Sequence, residues 1–83
     1  MSPKTESRLT ALKGLGKNWN SYGADPIEPA AIERARKLLE VLRTEPLIFP
    51  TVEGGVELAW NDEDITLTIY GDRCELYVEG LDE

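Results

Sequence analysis

From Leu47 onward apolar and polar side chains alternate, and pairing the segments through three turns gives one consistent register. No other feature limits the fold as much, because a strand repeats every two residues and a one-residue slip turns every apolar side chain to the wrong face. Gly71-Asp72 reads as a two-residue hairpin turn, with glycine in the first central position that a type II′ turn requires. Pairing outward from it sets Ile69 opposite Cys74, Leu67 opposite Leu76 and Ile65 opposite Val78. Closing Asn61-Asp62-Glu63-Asp64 as a loop sets Trp60 opposite Ile65, Leu58 opposite Leu67 and Val56 opposite Ile69. A third turn around Glu53-Gly54 brings Thr51 opposite Val56, Phe49 opposite Leu58 and Leu47 opposite Trp60, with Pro50 tolerated on an edge strand. The expectation is a four-stranded antiparallel meander. One face carries Leu47, Phe49, Val56, Leu58, Trp60, Ile65, Leu67, Ile69, Cys74, Leu76 and Val78.

That apolar face needs a cover, and the first half of the chain supplies two helices for it. Leu9, Leu12 and Leu15 recur at helical spacing from Ser7 onward, and Gly14 and Gly16 end the run. Residues 1–6 are expected to be flexible. A second helix starts at Pro29, which suits a first helical position. It carries Ile32, Ala35, Leu39 and Leu42 on one stripe and stops at Thr44-Glu45-Pro46. The fold class is therefore α+β, a single domain in the order ααββββ with both helices on one face of the sheet.

Charge is unevenly divided along the 83 residues, whose net value is −7. Residues 1–43 hold eight Lys and Arg against five acids, while residues 44–83 hold only Arg73 against eleven acids, so the halves carry +3 and −10. The acidic half disfavours direct nucleic-acid binding and favours a cationic protein surface, though acidic surface also serves solubility by itself. No apolar run approaches the length of a membrane span. The opening residues do not read as a secretory signal, so a cytoplasmic location is expected.

Chemistry is sparse. The chain has no histidine, which removes the commonest general base, the Ser-His and Cys-His nucleophile pairs and the usual zinc sites. No enzyme activity, cofactor or metal is expected. The single cysteine, Cys74, falls on the apolar face, where a buried thiol is inert. Gly54-Gly55 lacks the strand-to-helix setting and the lysine of a phosphate loop and reads as a turn. The face of the sheet turned away from the helices offers Glu57, Thr68, Glu75, Tyr77 and Glu79 to a partner. Glu57 and Glu75 flank Thr68 on open strands with no pocket to raise a pKa or exclude solvent, so a solvated face is a better reading of the pair than acid–base work. The loop from Trp19 to Asp25 is dense in turn formers yet holds two large aromatics; Trp19 fits a structural plug, and Tyr22 fits that or a contact residue equally.

The segment Trp19-Asn20-Ser21-Tyr22-Gly23-Ala24-Asp25-Pro26-Ile27, with Ala31-Ile32 and Gly54-Gly55-Val56-Glu57-Leu58 further on, resembles a family of short bacterial proteins. The resemblance implies a bacterial or phage origin and carries over no catalytic or binding residue. In size and acidity the chain is also similar to phage inhibitors of bacterial defence and to antitoxins. Two expectations of function follow. One is a non-catalytic, protein-binding inhibitor of a partner with a basic, nucleic-acid-handling surface, with a homodimer as a further possibility through the edge strand at Leu76 to Val78. The other is a small-ligand or nucleotide-binding protein using the Trp19 to Asp25 loop.

Overall fold

A computed structural model describes residues 2–42, 44–60 and 64–78. The elements follow the order α1 (Pro3–Lys13), α2 (Pro29–Val41), β1 (Leu47–Pro50), β2 (Val56–Trp60), β3 (Ile65–Ile69) and β4 (Cys74–Val78). Two helices pack on one face of a four-stranded antiparallel sheet whose strands lie in chain order.

The first helix begins earlier than its leucine spacing predicts. Ser2 caps it, its hydroxyl oxygen accepting from the Thr5 backbone N–H, and Pro3 takes the first turn, where a missing N–H costs nothing. Residues 2–6, expected to be flexible, are thus its opening turn. Leu9 and Leu12 face the core, and Gly14 ends the helix by donating to Ala11 O. In α2 the stripe Ala31, Ile32, Ala35 and Leu39 is buried as its spacing requires. The N-terminus of α2 has no side-chain cap; Glu28 instead turns its carboxylate to the Gly71 N–H at 3.0 Å.

Strands β2, β3 and β4 keep the expected register, Leu58 opposite Leu67 and Leu67 opposite Leu76. Strand β1 does not. Ile48, and not Phe49, stands opposite Leu58, and Pro50 stands opposite Val56. The connection runs one residue longer because Thr51 belongs to it: Thr51 N donates to Gly55 O, and Gly55 N donates to Thr51 Oγ1. Ile48 therefore enters the core while Leu47 and Phe49 turn to the open face. The hairpin at Gly71-Asp72 closes where expected, but Gly71 lacks the positive φ of a type II′ turn. Arg34 Nη1 takes the Tyr70 carbonyl at 3.0 Å, leaving Tyr70 N to Arg73 O as the closing bond.

The core is Leu9, Leu12, Ile27, Ile32, Leu39, Ile48, Val56, Leu58 and Ile69, with the small Ala31 and Ala35 letting α2 approach. Helix α1 packs against β1 and α2, and α2 lies over β2 and β3; neither lies over β4. The Cys74 thiol, expected to be buried, is consequently exposed and accepts from Arg34 Nη2 at 3.3 Å.

Two carboxylates fasten α1. Arg36 forms an ion pair with Glu6, and the hydroxyls of Ser2 and Thr5 both donate to the Glu45 carboxylate. The Arg36 hydrogen bonds hold Glu6 below its ordinary value of 4.5, and the Ser2 and Thr5 hydroxyls do the same for Glu45. A carboxylate depressed on folding contributes stability that is fully present above its unfolded pKa and lost as pH falls through the lower folded value. The sites fastening α1 to α2 and to the segment before β1 should therefore weaken as pH drops below about 4.5. Amide exchange across an acid titration checks this: protection in Pro3–Lys13 should fall before protection in Val56–Trp60, and simultaneous loss would count against it.

Candidate functional site

The face left open by the helices is built from cross-strand rows. Phe49, Glu57, Thr68 and Glu75 lie side by side on β1 to β4, and Leu47, Ala59, Thr66 and Tyr77 form the next row. Of the residues expected to bind a partner, Glu57, Thr68, Glu75 and Tyr77 are brought together here. Glu79 lies outside the described residues. Tyr22 sits apart, on the loop between the helices.

Register changes the chemistry of this face. With Leu47 and Phe49 turned toward it, the surface is apolar along β1, with Glu57 on β2 and Glu75 on β4. Leu47 is 59% exposed and Tyr77 54%, whereas Ala59 between the strands is buried. Glu75 is also less available than a free acid, since Arg73 Nε lies 3.1 Å from its carboxylate. Arg73 in turn stacks 4.0 Å above the Tyr70 ring, which covers Gly55 and donates its hydroxyl to Glu53 at 2.9 Å. The Glu53 carboxylate, and burial after it, push the Tyr70 phenol above its ordinary value. Tyr70 and Arg73 thus close one end of the face, and Glu57 is left as the carboxylate at its middle.

The loop from Asn18 to Asp25 is tied internally. Asn18 and Ser21 both adopt positive φ, and Asn18 Oδ1 and Asn20 Oδ1 accept from the N–H groups of Gly23, Tyr22 and Ala24. Trp19 Nε1 donates to Asp25 O at 2.8 Å. The Trp19 ring lines an open cleft of about 250 Å³ with Leu12, Leu15 and Pro50, which fits a plug between α1 and β1. Tyr22 is 91% exposed. The Oδ1 atoms of Asn18 and Asn20 and the Trp19 indole N–H are thus engaged within the loop itself.

A second open cleft, about 280 Å³, lies between α1 and β1, where Thr5 bonds to Glu45 and Arg8 Nη2 to Ile48 O. The N–H groups of Gly54 and Gly55 bond to Thr51 and are not available to cradle a phosphate. Among the described residues no cluster of His, Cys, Asp or Glu is placed to hold a metal, and no helix is long and apolar enough to cross a membrane. The residues missed from the sequence are Leu47 and Phe49; the signal for them was Pro50, whose missing N–H fits the free side of an edge strand. Compared with known protein families, curated proteins and solved structures, the chain matches none.

Proposed function

We propose that this chain is a small, non-catalytic, cytoplasmic protein-binding module whose open sheet face docks a protein with a basic rim around an apolar contact. The observation behind this reading is the face itself: Leu47 and Tyr77 exposed at the two ends of one cross-strand row, Glu57 in the row beside it, and the −10 half of the chain around them. Rigid aromatic and aliphatic anchors supply affinity, and carboxylates beside them supply attraction and orientation toward a cationic partner. In its most concrete form the module inhibits a nucleic-acid-handling enzyme by occupying its phosphate-binding groove.

The test is affinity capture with the tagged protein, read by mass spectrometry and repeated with variants. Leu47→Asp combined with Glu57→Lys should lose the partner that the parent captures, while Tyr22→Ala should retain it. Both changes lie on exposed or half-exposed positions and should leave the fold intact, since surface substitutions of this kind usually shift stability by less than about 1 kcal/mol. Loss on Tyr22→Ala with retention in the face variant would move the site to the loop. Association with the purified partner should slow and lose salt dependence in Glu57→Lys alone.

A further inference from the structure

The two edges of the sheet are not alike. On β1 the closing bond from Thr51 N to Gly55 O fixes the alternation, so Ile48 and Pro50 turn their backbone groups outward. That edge is guarded: Pro50 has no N–H, and Arg8 Nη2 occupies the Ile48 carbonyl at 2.9 Å. On β4 the bond from Tyr70 N to Arg73 O fixes the alternation in the same way, so Glu75 and Tyr77 face β3 while Cys74, Leu76 and Val78 turn their N–H and C=O groups outward. Neither helix covers this strand, and Leu76 is 67% exposed. A charged side chain is the usual guard of such an edge, yet Glu75 is already paired with Arg73.

We infer that β4 is a self-association edge, pairing antiparallel with β4 of a second copy about a twofold axis through Leu76. A twofold axis perpendicular to the sheet keeps each residue on its own face, which restricts the register to shifts of two residues. Centring the axis on Leu76 uses the whole strand: Cys74 meets Val78 of the second copy and Leu76 meets its twin, each as a mutually hydrogen-bonded pair, six bonds in all. Centring it on Glu75 would set two carboxylates directly opposite each other, which is destabilising. In the Leu76 register Glu75 stands beside Tyr77 of the second copy, and the two open faces join on one side of a continuous eight-stranded sheet. The pairing does not depend on what that face binds.

Two measurements on the full chain test it. Sedimentation from about 1 to about 100 μM, the range in which a small interface assembles, should show a concentration-dependent dimer. Leu76→Lys places two ammonium groups side by side on the axis and should weaken association about tenfold or more while keeping the circular dichroism of the parent. Amide exchange by NMR supplies the register: the N–H groups of Cys74, Leu76 and Val78 should be protected in the dimer and exchange freely on dilution, while those of Glu75 and Tyr77 stay protected throughout. A monomer across the whole range overturns the inference. So does a dimer in which Cys74, Leu76 and Val78 exchange freely, an outcome readable from the parent protein even if the lysine variant fails to fold. Loss of partner capture by the face variant with dimerisation intact would bear on the proposed function alone.

Discussion

Leu58→Asp is expected to abolish cooperative unfolding. Leu58 has no exposed surface, stands between Ile48 and Leu67 on the neighbouring strands, and belongs to the same buried core as Leu9 and Ile32. A carboxyl group there finds neither water nor a cation, and an unpaired buried charge costs several kcal/mol even when it relieves itself by taking up a proton. A domain of this size holds about 4–12 kcal/mol in total, so the substitution removes most or all of it. Leu67→Asp, one strand away on the same row, should behave differently. Leu67 is half-buried, next to the strand that no helix covers, and its carboxylate can reach solvent past Leu76. Thermal melts followed by far-UV circular dichroism separate the cases: no sigmoidal transition for Leu58→Asp, a lowered but sigmoidal one for Leu67→Asp. Equal behaviour of the two would show that the helices cover β3 and β4 as fully as β2.

The contrast between Leu58 and Leu67 also marks how far the sequence could be read. Alternation tells which face a side chain joins, and for β2, β3 and β4 strict alternation together with the Gly71-Asp72 turn gave the register correctly. It does not tell whether that face is covered. Two packed helices sit about 8–10 Å apart, roughly two strand spacings of about 4.8 Å, so a pair that starts over β1 reaches β3 and leaves the fourth strand bare. For that reason alternation places Cys74 and Leu76 on the helix-facing side of the sheet while both remain exposed. On β1 the pattern itself fails: Leu47, Ile48 and Phe49 are consecutive apolar residues and satisfy either parity, so the turn decides. What decides it is the Thr51 hydroxyl bonded to Gly55 N, a side-chain contact with no signature in hydrophobic spacing. The candidate face inherits the same division: hydrophobic spacing reveals Glu57, Thr68, Glu75 and Tyr77, whereas Leu47 and Phe49 are marked only by Pro50.

Gly54→Ala is expected to cost about 2–5 kcal/mol, from two sources that other glycines of this chain separate. Gly54 has φ +89°, a conformation that costs a residue with a Cβ about 1–2 kcal/mol. A Cβ there would also stand 2.9 Å from the carbonyl oxygen of Pro26, a backbone atom held in place by the bond from Glu28 N to Gly54 O. Relieving that overlap means moving the turn away from the segment leading into α2, a strain on the order of 1–3 kcal/mol. Gly23 has a similar φ of +86° but open space where its Cβ would stand, so Gly23→Ala should show the conformational cost alone. Gly16 has neither the positive φ nor a neighbour within 4 Å, and Gly16→Ala should be neutral or slightly stabilising through the unfolded chain. At about 4–8 °C per kcal/mol for a domain of this length, the three variants should melt in the order Gly16→Ala highest, Gly23→Ala lower and Gly54→Ala lowest. If Gly54→Ala melted with Gly23→Ala, the approach of the Gly54 turn to Pro26 would not be tight, and the docking of that loop on the β1–β2 turn would rest on its hydrogen bonds alone.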